Sequence, residues 1–172
     1  KLFGSELQFE SETGKGSKFF FDLPFYESFG EKTDSKLSDF ASSKKTDYNW
    51  INKTILIVED NMENSNYLNA ILQKTHSHVI MCTTGKEAIE TINNNKNIDI
   101  LLLDWMLPDI KAEEVVRIAK KELRKIPIIV LTALALIEDK TYIESKNIDE
   151  YISKPFDKDY LLFRMNHFLF GA

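Results

Sequence analysis

The feature that most constrains this chain is a series of short apolar runs closed by polar residues. Ile55-Leu56-Ile57-Val58 ends in Glu59-Asp60, Ile98–Leu103 ends at Asp104, Pro127–Leu131 ends at Thr132, and Glu150–Ser153 ends at Lys154. His78–Cys82 is a further run of the same kind. Runs that are apolar on both faces suit strands of a parallel sheet covered on both sides. Helical spacing fills the gaps between them. Residues 62–74 align Tyr67, Leu68, Ile71 and Leu72; residues 85–93 align Ala88, Ile89 and Ile92. Residues 112–124 carry Val115, Val116, Ala119 and Leu123, and residues 157–169 carry Leu161, Met165, Phe168 and Leu169. The weakest pattern covers 137–145. Five strands alternating with five helices predict a doubly wound α/β domain with right-handed crossovers.

In such a sheet, ligands bind beyond the carboxyl ends of the strands, near the point where strand order reverses. Glu59, Asp60, Asp104, Thr132 and Lys154 all sit at that end. Three converging carboxylates repel one another unless a cation lies among them. Hard oxygen ligands with room for water suit Mg²⁺. A carboxylate can also attack phosphorus and form an acyl phosphate. The cation and the Lys154 ammonium would then neutralise charge on the transferring phosphoryl oxygens, and the Thr132 hydroxyl would donate one more hydrogen bond.

The rest of the chain divides by composition. Residues 1–25 alternate apolar and polar positions through Leu7, Phe9, Phe19, Phe21 and Leu23, around Ser11-Glu12-Thr13-Gly14-Lys15-Gly16-Ser17. That pattern predicts a β-hairpin, which is marginal by itself and must pack on something. Gly14-Lys15-Gly16-Ser17 is not a phosphate loop, because Gly16 separates the lysine from the serine. Residues 26–52 are rich in Ser, Lys, Asp and Glu and read as a flexible linker whose last residues, near Tyr48 and Trp50, dock. The domain proper is expected over 53–170.

Composition narrows the function. The net charge of −5, without a dense basic cluster, argues against nucleic-acid binding. The apolar runs are too short to span a bilayer, and no contact of this chain with a membrane is expected. Cys82 is the only cysteine, which excludes an internal disulfide, fits a reducing compartment, and reads most simply as a small core residue. His76, His78 and His167 lack metal-ligand spacing and read as surface histidines. Lys120–Lys125 reads as a solvated helix end. The chain opens on Lys1 rather than Met, so a piece of a longer protein is expected.

Four motifs in order carry a resemblance. Ile55-Leu56-Ile57-Val58-Glu59-Asp60-Asn61, Leu102-Leu103-Asp104-Trp105-Met106-Leu107-Pro108, Val130-Leu131-Thr132-Ala133 and Tyr151-Ile152-Ser153-Lys154-Pro155-Phe156 resemble the receiver domains of bacterial two-component response regulators. The resemblance implies a flavodoxin-like five-stranded sheet with strand order 2-1-3-4-5. It implies phosphorylation of Asp104, with Mg²⁺ held by Asp60, Asp104 and the backbone carbonyl of Met106, and with Glu59 acting mainly through water. Thr132 and Lys154 would contact the phosphoryl group. Tyr151 would be the aromatic switch residue, Ala133 would leave it space to turn inward, and Lys154–Pro155 would be a cis peptide. Receivers often carry glycine where this chain has Ala112, so a slight displacement of that loop is expected.

A second resemblance covers the hairpin. Leu7-Gln8-Phe9-Glu10-Ser11 followed by Gly14-Lys15-Gly16-Ser17-Lys18-Phe19-Phe20-Phe21-Asp22-Leu23-Pro24 resembles the last two strands of the histidine-kinase ATPase domain. Kinase end, linker and receiver in that order imply a hybrid histidine kinase. The ATP-binding boxes and the helix pair bearing the phosphorylated histidine are not in this sequence, so no ATP-dependent activity is expected of it. The implied partners are a histidine kinase domain, in the same chain or another, a histidine phosphotransfer protein, and a second copy through the fourth helix, fifth strand and fifth helix of the domain. A cytoplasmic location follows, with any membrane anchor in other regions of the parent protein. The same residues also admit a receiver retained for docking alone, or a phosphatase with an aspartate nucleophile. Against the phosphatase stands Met106, which occupies the position where such enzymes place a general acid. Met106 and Leu134 also offer no strongly polar group to a hydrolytic water, so slow self-dephosphorylation is expected.

Overall fold

The computed structural model describes residues 8–20, 47–133 and 147–171. The chain divides into two compact units, Lys1–Ser42 and Ser43–Ala172.

In the first unit, β1 (Gln8–Glu12) pairs antiparallel with β2 (Gly16–Phe20). The strands run further into the glycine-containing segment than its composition suggests, because Gly14 and Gly16 take positive φ and close the turn within three residues. Phe9 and Phe19 face each other across the pair, with ring centroids 6.2 Å apart. Leu7, Phe21 and Leu23 lie outside the described residues.

The second unit holds a five-stranded parallel sheet. Its elements are β3 (Thr54–Val58), α1 (Met62–Gln73), β4 (His78–Cys82), α2 (Gly85–Asn94), β5 (Ile100–Asp104), α3 (Ala112–Glu122), β6 (Ile128–Thr132), β7 (Glu150–Ser153) and α4 (Lys158–Phe170). The strand order is β4-β3-β5-β6-β7, which is 2-1-3-4-5 counted within this sheet. The expected helix over 137–145 falls outside the described residues.

Strand side chains alternate between faces, and here each face has its own helical cover. Leu56, Val58, Leu101, Leu103, Ile128 and Val130 pack against Ala88 and Ile92 of α2 and Val115, Val116 and Ala119 of α3. Ile55, Ile57, Ile100, Leu102, Ile129 and Leu131 pack against Leu68 and Leu72 of α1 and Leu161 and Met165 of α4. Both sets are buried, which explains why the central strands read as continuous apolar runs. β5 begins at Ile100, later than the run from Ile98 suggests. Asp99 explains the delay: its carboxylate accepts from the backbone N–H of Thr54 at 2.8 Å and pairs with Lys53 at 3.1 Å.

Polar residues set the helix starts. Asn61, Thr84 and Asp157 accept from the amides of Asn64, Glu87 and Tyr160 respectively. Gly171, at φ 69°, ends α4 in the left-handed conformation. The docked end of the linker contributes to the core. Trp50 is only 1% exposed, its indole N–H donates to Asn166 at 3.1 Å, and Tyr48 lies against its ring. Arg164 of α4 pairs with Glu150 at the start of β7, both of them buried.

Candidate functional site

The site lies at the carboxyl ends of β3, β5, β6 and β7. Parallel strands raise the same end of each run to one edge, so the polar residues that close the runs meet there. Asp104 and Thr132 are the last residues of β5 and β6, while Glu59-Asp60 and Lys154 follow β3 and β7 directly.

Among the described residues, Glu59, Asp60 and Asp104 form the one acidic cluster able to hold a metal ion, with ligand atoms all within 4.8 Å of one another. Lys154 reaches into it. Its Nζ donates to Glu59 Oε2 at 2.6 Å and to Asp104 Oδ2 at 2.7 Å. Burial by itself would lower the Lys154 pKa, but the hydrogen bonds and charge attraction from Asp104 and Glu59 outweigh it and hold the ammonium above its ordinary value. The other oxygen of Asp104 accepts from the backbone N–H of Met106 at 2.9 Å. Thr132 is fully buried, and its backbone carbonyl accepts from the Lys154 amide at 2.8 Å, which registers the lysine against the end of β6. The Lys154–Pro155 peptide is cis.

Around this centre, Trp105 and Tyr151 are half-buried against the α2/α3 side of the sheet, whereas Ala133 and Met106 are exposed. Ala112 is the first residue of α3, buried in the core and without a positive φ, so the alanine meets no backbone strain there. Beside Lys154 opens a cleft of about 500 Å³ lined by Asn64, Tyr67, Leu68, Pro155 and Phe156. His76, His78 and His167 are exposed and lie outside the acidic cluster. Cys82 is buried at the end of β4; burial raises its thiol pKa, a hydrogen bond with Thr91 lowers it, Glu87 raises it further, and the net shift is upward.

Two residues of the site escape sequence reasoning. Asn64, in the first turn of α1, donates from its amide to Glu59 Oε1 at 2.8 Å, so both oxygens of that buried carboxylate are engaged. Asp109 accepts from the backbone N–H groups of Gly85 and Lys86, at 2.9 and 3.0 Å, from the loop after β5. Burial opposes ionisation of Asp109, but these bonds and those from the amides of Ile110 and Asp109 itself outweigh it and hold its pKa below the usual value. Asn64 and Asp109 each carry a cap-type side chain, which is a weak signal that names no distant partner.

An acidic cluster crossed by a lysine, at the carboxyl edge of a 2-1-3-4-5 sheet, defines a receiver-type site. Comparison with known proteins agrees. The model of the response regulator receiver domain matches residues 55–166, and the chain belongs to that family, the receiver domains of two-component signalling. The response regulator SaeR of Staphylococcus aureus is 33% identical over 115 residues, which is 67% of this chain and 50% of that protein. The chain therefore spans about half the length of the curated relatives it matches. The receiver domain of the Francisella response regulator 1452 superposes with a TM-score of 0.62 at 29% identity, covering 69% of this chain and 97% of that one. The receiver domain of the sensor histidine kinase PA1611 from Pseudomonas aeruginosa gives a TM-score of 0.62 at 28% identity, over 70% of this chain and 98% of that one; it has a magnesium ion coordinated in its active-site cleft. No helix of the described residues is long and apolar enough to cross a membrane.

Proposed function

We propose that Asp104 accepts a phosphoryl group from a phosphohistidine in a Mg²⁺-dependent step. The observation that carries this reading is the Lys154 ammonium held between Glu59 and Asp104 inside a cluster of three carboxylates. A carboxylate oxygen of Asp104 attacks phosphorus and forms the O–P bond. The P–N bond to the imidazole breaks, and its electron pair stays on the leaving nitrogen. Lys154 stabilises charge on the phosphoryl oxygens, and the buried Thr132 hydroxyl donates to the same group. The all-oxygen cluster of Glu59, Asp60 and Asp104 fits Mg²⁺; Asp60, Asp104 and the Met106 carbonyl would hold it, with Glu59 acting through water. When bound, the cation neutralises the phosphoryl charge as it moves between donor and acceptor.

Occupancy of Asp104 then biases Thr132 and Tyr151, with Ala133 leaving room, and reshapes the surface around residues 137–145, β7 and α4. The donor is a histidine kinase domain, in the same chain or another, and the phosphoryl group passes on to a histidine phosphotransfer protein. The antiparallel hairpin supports reading residues 1–25 as the end of a kinase ATPase domain, joined by a linker over 26–52 to a receiver over 53–170 in a hybrid kinase. The receiver then works in the cytoplasm and is able to pair with a second copy through the switching surface.

The test is acylphosphate formation. With phosphoramidate and Mg²⁺, the protein gains one phosphoryl group by intact mass, and Asp104→Asn or chelation of the cation abolishes the gain. Unchanged labelling of Asp104→Asn, or unchanged signalling by that variant in cells, would refute the reading and favour a docking module.

A further inference from the structure

We infer that Asp109 is a positioning residue that sets the Met106 carbonyl, and with it the Mg²⁺ affinity of the site. The inference rests on the metal reading above. Met106 leads through Leu107 and Pro108 to Asp109, and the proline fixes one backbone dihedral of that short link. Three residues of chain reach no more than about 10 Å, so anchoring Asp109 leaves the Met106 carbonyl little freedom.

The anchor is α2. Its first amides have no partner within the helix. Gly85 and Lys86 give theirs to the two oxygens of Asp109, at 2.9 and 3.0 Å. The helix already has its own cap, since Thr84 Oγ1 accepts from the Glu87 amide at 3.2 Å and Glu87 reaches back to the Thr83 amide at 2.7 Å. Asp109 therefore does more than end a helix; it ties the loop after β5 to it. A second contact makes the same tie. A Cβ on Gly85 would lie 2.4 Å from Ile110 Cγ1 and 3.1 Å from Leu107 Cδ1, so the loop rests directly on the glycine. The helix start is itself registered to the acidic site. It follows β4 by two residues, and the last carbonyl of β4, on Cys82, accepts from the Glu59 amide at 3.1 Å.

Calorimetric titration with Mg²⁺ alone tests this, alongside thermal unfolding in EDTA. Thr84→Ala is the control, because it removes a cap from the same helix without touching the loop. Asp109→Ala weakens Mg²⁺ binding on the order of ten-fold, the scale of outer-shell changes at metal sites, while Thr84→Ala leaves it at the parent value. Asp109→Asn, which keeps one acceptor oxygen, falls between and serves where the alanine variant is poorly folded. Gly85→Ala, which pushes Leu107 and Ile110 outward, weakens binding as well. Parent-like Mg²⁺ affinity in Asp109→Ala and Asp109→Asn, or equal weakening by Thr84→Ala, would overturn the inference. Absence of Mg²⁺ binding by the parent protein would overturn the metal reading together with it.

Discussion

Lys154 offers a sharp quantitative test of the site. Replacing it with methionine keeps most of the aliphatic stem and removes the charge that lies between Glu59 and Asp104. The buried Glu59 and Asp104 carboxylates sit within 4.8 Å of each other, and at an effective dielectric of about 20 they then repel by about 3.5 kcal/mol. Removing one partner of a buried pair costs about 3–5 kcal/mol. The lysine side chain keeps 16% of its exposure and Asp60 is solvated, so the lower end of that range applies, about 3 kcal/mol. For a domain of this size that is a fall in Tm of roughly 10 °C in EDTA. Mg²⁺ relieves more repulsion in the variant than in the parent, so its addition raises the variant's Tm by the larger amount. The pH dependence has a definite sign. Lys154 is held above its ordinary 10.5, so its stabilisation is present below that pH and is lost as pH rises through the elevated folded value. The gap in Tm between parent and Lys154→Met therefore closes only at strongly alkaline pH. Differential scanning calorimetry across pH, with and without Mg²⁺, measures all three effects. A variant within about 2 °C of the parent in EDTA, or an equal Mg²⁺ shift in both proteins, would refute this electrostatic account.

Four further outcomes are expected. Asp109 has a lowered pKa, so it stabilises the fold above its ordinary 3.8 and that contribution is lost as pH falls through the lower folded value; in acid titrations followed by circular dichroism, Asp109→Asn lacks this part of the transition. Cys82 is 1% exposed with a raised thiol pKa, so a thiol reagent at neutral pH labels the native protein slowly and the unfolded protein fully. Glu150→Ala strands the buried Arg164 guanidinium and costs about 3–5 kcal/mol in urea unfolding, whereas replacing both residues with apolar ones of similar volume recovers most of the loss. Met106 is exposed and apolar beside Asp104, so the phosphorylated protein loses phosphate slowly, and Met106→Asn, which supplies a water-binding amide, shortens the half-life measured by intact mass.

The amino-acid sequence by itself determined the described strands and helices of the sheet domain and the edge of the sheet that carries the chemistry. The runs ending at Glu59, Asp104 and Thr132 are apolar on both faces because helices cover both sides of the sheet, and this is a local signal. Once the strands are parallel, the residues that close the runs must meet, so Glu59, Asp60, Asp104, Thr132 and Lys154 were legible as a group. The family resemblance supplied the strand order, which local pattern does not encode. Tertiary structure alone decided what holds the group in place. Trp50 reads as a docking residue at the end of a linker, but its partners, Asn166 and the core residues around it, are set only by the packing. Asn64 reads as a polar helix residue until it meets Glu59, and Asp109 as a loop acid until Gly85 and Lys86 give it their amides, 24 and 23 residues away. Nothing in the local pattern around Arg164 or Glu150 names the other as its partner; the packing of α4 over the start of β7 pairs them. Hydrophobic periodicity records which face of an element is covered. It carries no record of which distant polar atom a side chain finds, because that depends on how the packed elements bring separate turns and strand ends together.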